Sequence, residues 1–151
     1  MPDAIAIRCA LLSEREALEA LQTRSSLANP GDRDALIANP EAIELPAAQI
    51  QAGQVFVAHQ GGEILGFAAI LLRPDGGIEL DELFVEPGQW RRGIGKMLVR
   101  HCALAAKSVG ANALHVIGNR HARQFYESCD FELAGSTDTR FGEALLFRMT
   151  V

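Results

Sequence analysis

The sequence predicts an α/β fold built on a mixed sheet, and three observations predict it. Strand-like segments crowd the stretch from Gln54 to Val85, separated only by Gly61-Gly62 and Pro74-Asp75-Gly76-Gly77, the pattern of an antiparallel meander. The period then becomes helical, with Ile94, Leu98, Cys102, Ala105 and Val109 along one face. A short apolar strand, Ala113 to Ile117, follows, so the connection from Val85 suits a parallel strand–helix–strand crossover.

Taken in order, Ala4 to Ala10 alternates weakly and reads as a first strand. Ser13 with Glu16 has the spacing of a capping box, and Ala17, Leu18 and Leu21 give an apolar stripe to a helix from about Glu14 to Leu27. Asn29-Pro30-Gly31 ends it. Pro40 and Pro46 break the next stretch into short helical pieces around Leu36–Ile37 and Ala47–Ala52. Gln54–His59, Glu63–Leu72 and Ile78–Val85 form the meander, which Pro87-Gly88 stops. A helix from about Arg91 to Val109 is expected, with Gly110 as its C-terminal cap. Asn119 is placed to cap a further helix reaching about Cys129. Phe131–Ala134 and Ala144–Met149 close the chain as strands joined through residues 137–142. The 151 residues contain no repeat or dividing linker and read as one domain, 1–151.

Composition is that of a globular protein, 48% hydrophobic and 22% charged. A formal net charge of -5 argues against general nucleic-acid binding. Cys9, Cys102 and Cys129 are widely spaced and odd in number, which predicts reduced thiols rather than a disulfide framework. No basic leader and no apolar run of membrane-spanning length is present, so a cytoplasmic protein without a membrane partner is expected. His59, His101, His115 and His121 lack metal-ligand spacing, and no metal is expected; His101 and His121 read as helix-surface residues.

Chemistry concentrates between Glu79 and Leu98. The turn Gln89-Trp90-Arg91-Arg92-Gly93-Ile94-Gly95-Lys96 opens a helix, where unpaired N–H groups and the dipole make an anion site. Glycines let a phosphate approach the backbone, and Arg91, Arg92 and Lys96 add charge. A Walker-type loop needs glycine at 90 and Ser or Thr at 97, where Trp90 and Met97 stand. A dinucleotide fingerprint from Gly93 needs glycine or alanine at 98, where Leu98 stands. The competing reading is a Gly-rich helix start with solvated arginines. The preceding strand carries Glu79, Asp81 and Glu82. Strict alternation puts Asp81 on the face of Glu79 and Glu82 on the other; solvated surface acids are the plainer alternative.

These residues resemble the GNAT superfamily of acyl-CoA-dependent N-acyltransferases. Its signature Gln/Arg-x-x-Gly-x-Gly/Ala is matched by Trp90-Arg91-Arg92-Gly93-Ile94-Gly95 except at Trp90. A second block, Asn119-Arg120-His121-Ala122-Arg123-Gln124-Phe125-Tyr126-Glu127-Ser128-Cys129-Asp130-Phe131, resembles the family's Asn-x-x-Ala-x-x-Phe-Tyr-Glu-x-x-Gly-Phe, with Asp130 at the glycine. Asp is among the few residues that tolerate the left-handed conformation expected there. The agreement runs from about Gln54 to the C-terminus.

The resemblance implies a GNAT-like mixed, mostly antiparallel sheet flanked by helices. It implies acetyl-CoA as co-substrate, lying in a gap between Ile78–Val85 and Ala113–Ile117. Amides of Arg91, Arg92, Gly93, Ile94, Gly95 and Lys96 would bind the pyrophosphate, and the backbone of Leu83, Phe84 and Val85 would pair with pantetheine. The Val85 N–H would polarise the thioester, and Asn119, Ala122 and Tyr126 would contact the cofactor arm. Tyr126 occupies the general-acid position, while Glu79, Asp81 and Glu82 are candidate bases, Glu79 and Glu82 foremost. The expected activity is direct N-acetylation of a primary amine in a small molecule or protein, with a non-catalytic acyl-CoA-binding module as the alternative. A homodimer is compatible with this reading. Arg24, Ser25, Arg140 and Phe141 are candidates to line the acceptor pocket.

Overall fold

The computed structural model describes residues 3–140 and 142–151. Seven strands are arranged with five α-helices: β1 (Ala6–Cys9), α1 (Arg15–Ala28), α2 (Arg33–Ala38), α3 (Ala47–Gln51), β2 (Val55–Gln60), β3 (Glu63–Leu72), β4 (Ile78–Val85), α4 (Ile94–Ser108), β5 (Ala113–Gly118), α5 (Arg123–Ser128), β6 (Glu132–Thr139) and β7 (Gly142–Thr150). They form one sheet in the order β1-β2-β3-β4-β5-β7-β6. Every pairing is antiparallel except β4 with β5, which is parallel, so the predicted crossover through α4 is present.

Each face of the sheet buries its own core. Ile70, Ile78, Leu80, Leu114 and Val116 meet Leu98, Val99 and Cys102 of α4 and Tyr126 of α5 on one face. On the other, Val55, Val57, Phe67 and Ala69 meet Leu18 and Leu21 of α1 and Ile50 of α3. Cys102, deep in the first core, has its thiol pushed up to about 12 by burial, and all three cysteines are free.

Helix ends follow the sequence with two corrections. Gly110, at φ 86, receives the chain as it leaves α4; its N–H donates to Lys107 O at 3.0 Å and the Ala111 N–H to Ala106 O at 3.1 Å, a Schellman motif. The Ser13–Glu16 box does not form. A 3-10 turn over Leu12–Glu14 absorbs Ser13, and Glu14 instead accepts from the Leu11 N–H at 2.8 Å. Helix α4 begins at Ile94, three residues later than expected, because Arg91 (φ 68) and Gly93 (φ 79) take left-handed conformations no α-helix accommodates. His101, expected on the surface, is half-buried with its ring 4.6 Å from that of Phe56.

The last hairpin is longer than expected. Pairing of β6 with β7 continues to Thr139↔Gly142, so most of residues 137–142 is strand. Solvent wets nearly all of β6, so its sequence carries no alternation to mark it.

One irregularity in β4 positions everything below. Ala69 faces Glu82 while the next residue of β3, Ile70, faces Leu80, which leaves Asp81 as an extra residue, a β-bulge. Alternation restarts after it. Glu82 shares its face with its partner Ala69, on the α1 side, and Leu83 shares the α4 side with Ala68. The expectation that Glu82 points away from Glu79 is thereby corrected: Glu79, opposite Leu71, and Glu82 lie on the same face. Parallel pairing of β4 with β5 covers only Ile78↔Leu114, Glu79↔His115 and Leu80↔Val116. Past the bulge, β4 stays with β3 to Val85 and β5 stays with β7 to Gly118. The two strands splay apart.

Candidate active site

The splay leaves main-chain groups of β4 without a neighbouring strand. The Glu86 N–H donates to Leu65 O at 2.8 Å, and Gly66 faces Val85. That bond marks Gly66–Val85 as a non-hydrogen-bonded pair, so Val85 turns its own N–H and C=O away from β3. Register alternation gives Leu83 the same orientation. Both residues thus aim polar backbone at the space β5 has left. A cavity of about 730 Å³ occupies that space, walled by Leu83, Phe84 and Val85 on one side and by Ile117, Gly118 and Asn119 on the other.

The Gly-rich turn closes one end of the cavity. Arg91, Gly93, Ile94, Gly95 and Lys96 line it. The first hydrogen bond of α4 runs from the Met97 N–H to Gly93 O at 3.1 Å, which leaves the Ile94, Gly95 and Lys96 N–H groups without helical acceptors. Such a terminus suits a diphosphate. Arg92 is not among the lining residues: its guanidinium donates to Gln89 and, at 3.3 Å, to Gln60. Trp90 lines the cavity and donates its indole N–H to Val85 O at 2.9 Å.

Of the three strand acids, the cavity takes Asp81 and Glu82 but not Glu79. Burial first, and the Asp81 charge second, push the Glu82 carboxyl up to about 8. Glu79 is raised for the same two reasons, offset in part by Arg73. Gln49 of α3 donates to Asp81 at 3.4 Å and to Ile70 O at 2.9 Å, tying the bulge to the helical layer.

The second motif block supplies the opposite wall. Phe125 packs against the Gly-rich turn, where a Cβ on Gly95 would come within 3.0 Å of its ring. Tyr126 stacks among Phe125, Phe131 and Phe147, with ring centroids 5.3 to 5.6 Å away, and reaches the cavity. Burial raises its phenol above the ordinary range, with Asp32, Cys129 and Glu82 adding to it. Asp130, in the turn after α5, has φ 72, the left-handed conformation expected at that position. Gly118 leaves room for Tyr126: a Cβ there would sit 2.8 Å from Cε2 of the ring. Gly118→Ala is therefore expected to cost about 1–3 kcal/mol by overpacking, read from urea unfolding, and to lower turnover through the displaced phenol.

Asn119 caps the turn into α5 as expected, its Oδ1 accepting from the Ala122 N–H at 3.1 Å. Its Nδ2 has a second task, donating to Asp32 at 2.7 Å. Asp32, just before α2, forgoes capping its own helix and crosses to the β5–α5 connection. Burial raises its carboxyl, and it joins Asn29 and Ser25 in lining the cavity. Asp32 and Asn29 were missed by the sequence reading, although Asn29-Pro30-Gly31 had marked a turn there. Ser25, a candidate for the acceptor pocket, lines this cavity. Arg24 does not: it forms a two-pronged ion pair with Glu86 at 2.7 and 2.8 Å. Arg140 is not among the lining residues, and Phe141 lies outside the described residues. Among the described residues, no group of three or more His, Cys, Asp or Glu is placed to hold a metal.

Comparison with known proteins agrees with this geometry. PaiA N-acetyltransferase from Thermoplasma acidophilum, solved with coenzyme A, superposes with a TM-score of 0.78 at 19% identity, over 98% of this chain and 99% of that one. The yncA protein of Salmonella typhimurium, solved with its cofactor acetyl-CoA, gives 0.74 at 18% identity, over 98% and 94%. An N-acetyltransferase from Staphylococcus aureus Mu50 gives 0.70 at 22%, over 98% and 99%. At these identities the likeness is one of fold. No curated protein matches the sequence significantly. The sequence profile of the acetyltransferase (GNAT) domain matches residues 51–133, more than half of the chain and both motif blocks. The chain belongs to the GNAT acetyltransferase family.

Proposed function

We propose that this protein transfers the acetyl group of acetyl-CoA directly to a primary amine of a small molecule or protein. The observation that carries the reading is the splay of β4 from β5: it exposes strand backbone between an anion-binding helix start and a half-buried carboxylate. The binding of coenzyme A by PaiA and of acetyl-CoA by yncA supports the choice of donor.

Acetyl-CoA supplies an activated acyl group on a thiol leaving group. Arg91 and the N–H groups of Ile94, Gly95 and Lys96 hold its pyrophosphate. The exposed backbone of Leu83 pairs with the pantetheine arm as an added strand would. The Val85 N–H donates to the thioester oxygen as negative charge develops there. An alkylamine, with a pKa of about 10.4, arrives protonated. Glu82 in its ionised form takes that proton, directly or through one water; the pKa raised to about 8 makes that carboxylate a stronger base, and the ionised fraction grows as pH rises towards 8. Tyr126, which burial keeps protonated, gives a proton to the departing thiolate. A reducing cytoplasmic setting suits the three free cysteines.

The test is thiol release from acetyl-CoA against alkylamines, polyamines, amino acids and peptides, with the acetylated product identified by mass spectrometry. Turnover with any amine supports the reading. Tight acetyl-CoA binding without turnover across the panel replaces it with a cofactor-sensing module.

A further inference from the structure

We infer that Trp90 is a positioning residue for acyl transfer: its indole N–H holds the Val85 carbonyl and keeps the Val85 N–H aimed into the gap between β4 and β5. The inference rests on the acetyl-transfer reading above. Val85 is the last residue of β4, and both its polar main-chain groups point where no strand follows. Without an anchor the end of such a strand frays, and a peptide that rocks presents its N–H in many directions. Here three contacts hold it. The indole donates to Val85 O at 2.9 Å. The Glu86 N–H donates to Leu65 O at 2.8 Å. Arg24 grips the Glu86 carboxylate at 2.7 and 2.8 Å, from α1.

The turn brings the indole back over the strand. Pro87–Gln89 forms one 3-10 turn, and the Trp90 N–H closes it on Pro87 O at 3.3 Å. Electrostatics adds to geometry. The Val85 carbonyl oxygen carries partial negative charge beside the amide that faces the developing oxyanion. An indole N–H on that oxygen offsets the charge at no cost of reorganisation. At the position where the family signature has Gln or Arg, the side-chain donor is thus turned onto the protein's own main chain.

Trp90 is the only tryptophan of the chain, so its indole proton gives one NMR signal. That proton is expected to exchange with solvent more slowly than free indole; exchange at the free rate overturns the inference. Two replacements test function: Trp90→Phe, and benzothienylalanine at position 90, which keeps the shape and puts sulfur in place of N–H. Each is expected to lower kcat about tenfold while the acetyl-CoA Kd, measured by calorimetry, stays within about twofold. The isostere covers the case in which Trp90→Phe does not fold. Unchanged kcat in the isostere, or a loss confined to Kd, overturns the inference and makes Trp90 a cofactor contact. Wild-type protein that binds acetyl-CoA but acetylates no amine overturns the acetyl-transfer reading and this inference together. Wild-type turnover beside an unaffected isostere overturns the inference alone.

Discussion

Glu82→Gln lowers kcat by about 10²- to 10⁴-fold, the range for loss of a general base, and removes the rising limb of the pH–rate profile near pH 8. Wild-type kcat/KM is expected to climb with pH as the Glu82 carboxyl, held up to about 8 by burial and by Asp81, loses its proton. A second rise, from deprotonation of the free amine at about pH 10.4, belongs to the substrate and persists in the variant. Stability moves the opposite way. Below the unfolded pKa of Glu82 both states hold the proton. Between that value and about 8 the folded state binds more protons than the unfolded, so wild-type stability falls with rising pH and levels off above it. Glu82→Gln is expected to remove that decline. Rate profiles and urea midpoints across pH 5–9 check both. A variant that keeps wild-type turnover would return the role of base to Glu79 or Asp81.

Tyr126→Phe cuts kcat by about 10²-fold, at the low end for a general acid because the CoA thiolate, at a pKa of about 8.5, leaves tolerably without one. Acetyl-CoA affinity should stay near the wild-type value. Phenylalanine preserves the ring contacts with Phe125, Phe131 and Phe147, so the unfolding midpoint should hardly move. No new pH limb is expected near neutrality, since the phenol is raised further from it, not lowered. Pre-steady-state thiol release, with Kd measured separately, distinguishes a slowed chemical step from weakened binding. Wild-type turnover in this variant would assign Tyr126 to packing alone.

Much of the architecture could be read before any coordinates because its signals are local. Glycine pairs break the meander, the period becomes helical from about Arg91, and Gly110 stands where α4 must stop. The start of α4 was misjudged because Arg91 is not a residue from which a left-handed conformation is expected. In the site, Tyr126, Asn119 and the Gly-rich turn were legible as motif positions. Three features were not. A bulge leaves no composition signal, so the face of Glu82 came out wrong. Asp32 reaches Asn119 across 87 positions of sequence, which no local pattern encodes. Arg24 looked like a pocket cation, yet its partner Glu86 lies 62 positions away.

The bulge at Asp81 acts as a switch of parity along one strand. Before it, even-numbered residues of β4 belong to the α4 core; after it, odd-numbered ones do. Without the bulge, strict alternation through all of Ile78–Val85 would exchange the two faces beyond Asp81. Leu83 and Val85 would then turn towards α1, and the Glu82 carboxylate would lie beneath α4 among Leu98 and Cys102. Deleting Asp81 itself would instead remove the extra residue and keep Leu80, Leu83 and Val85 towards α4 and Glu82 towards α1, so the strand's two-faced character tolerates the loss of that residue but not the loss of the bulge while that residue stays.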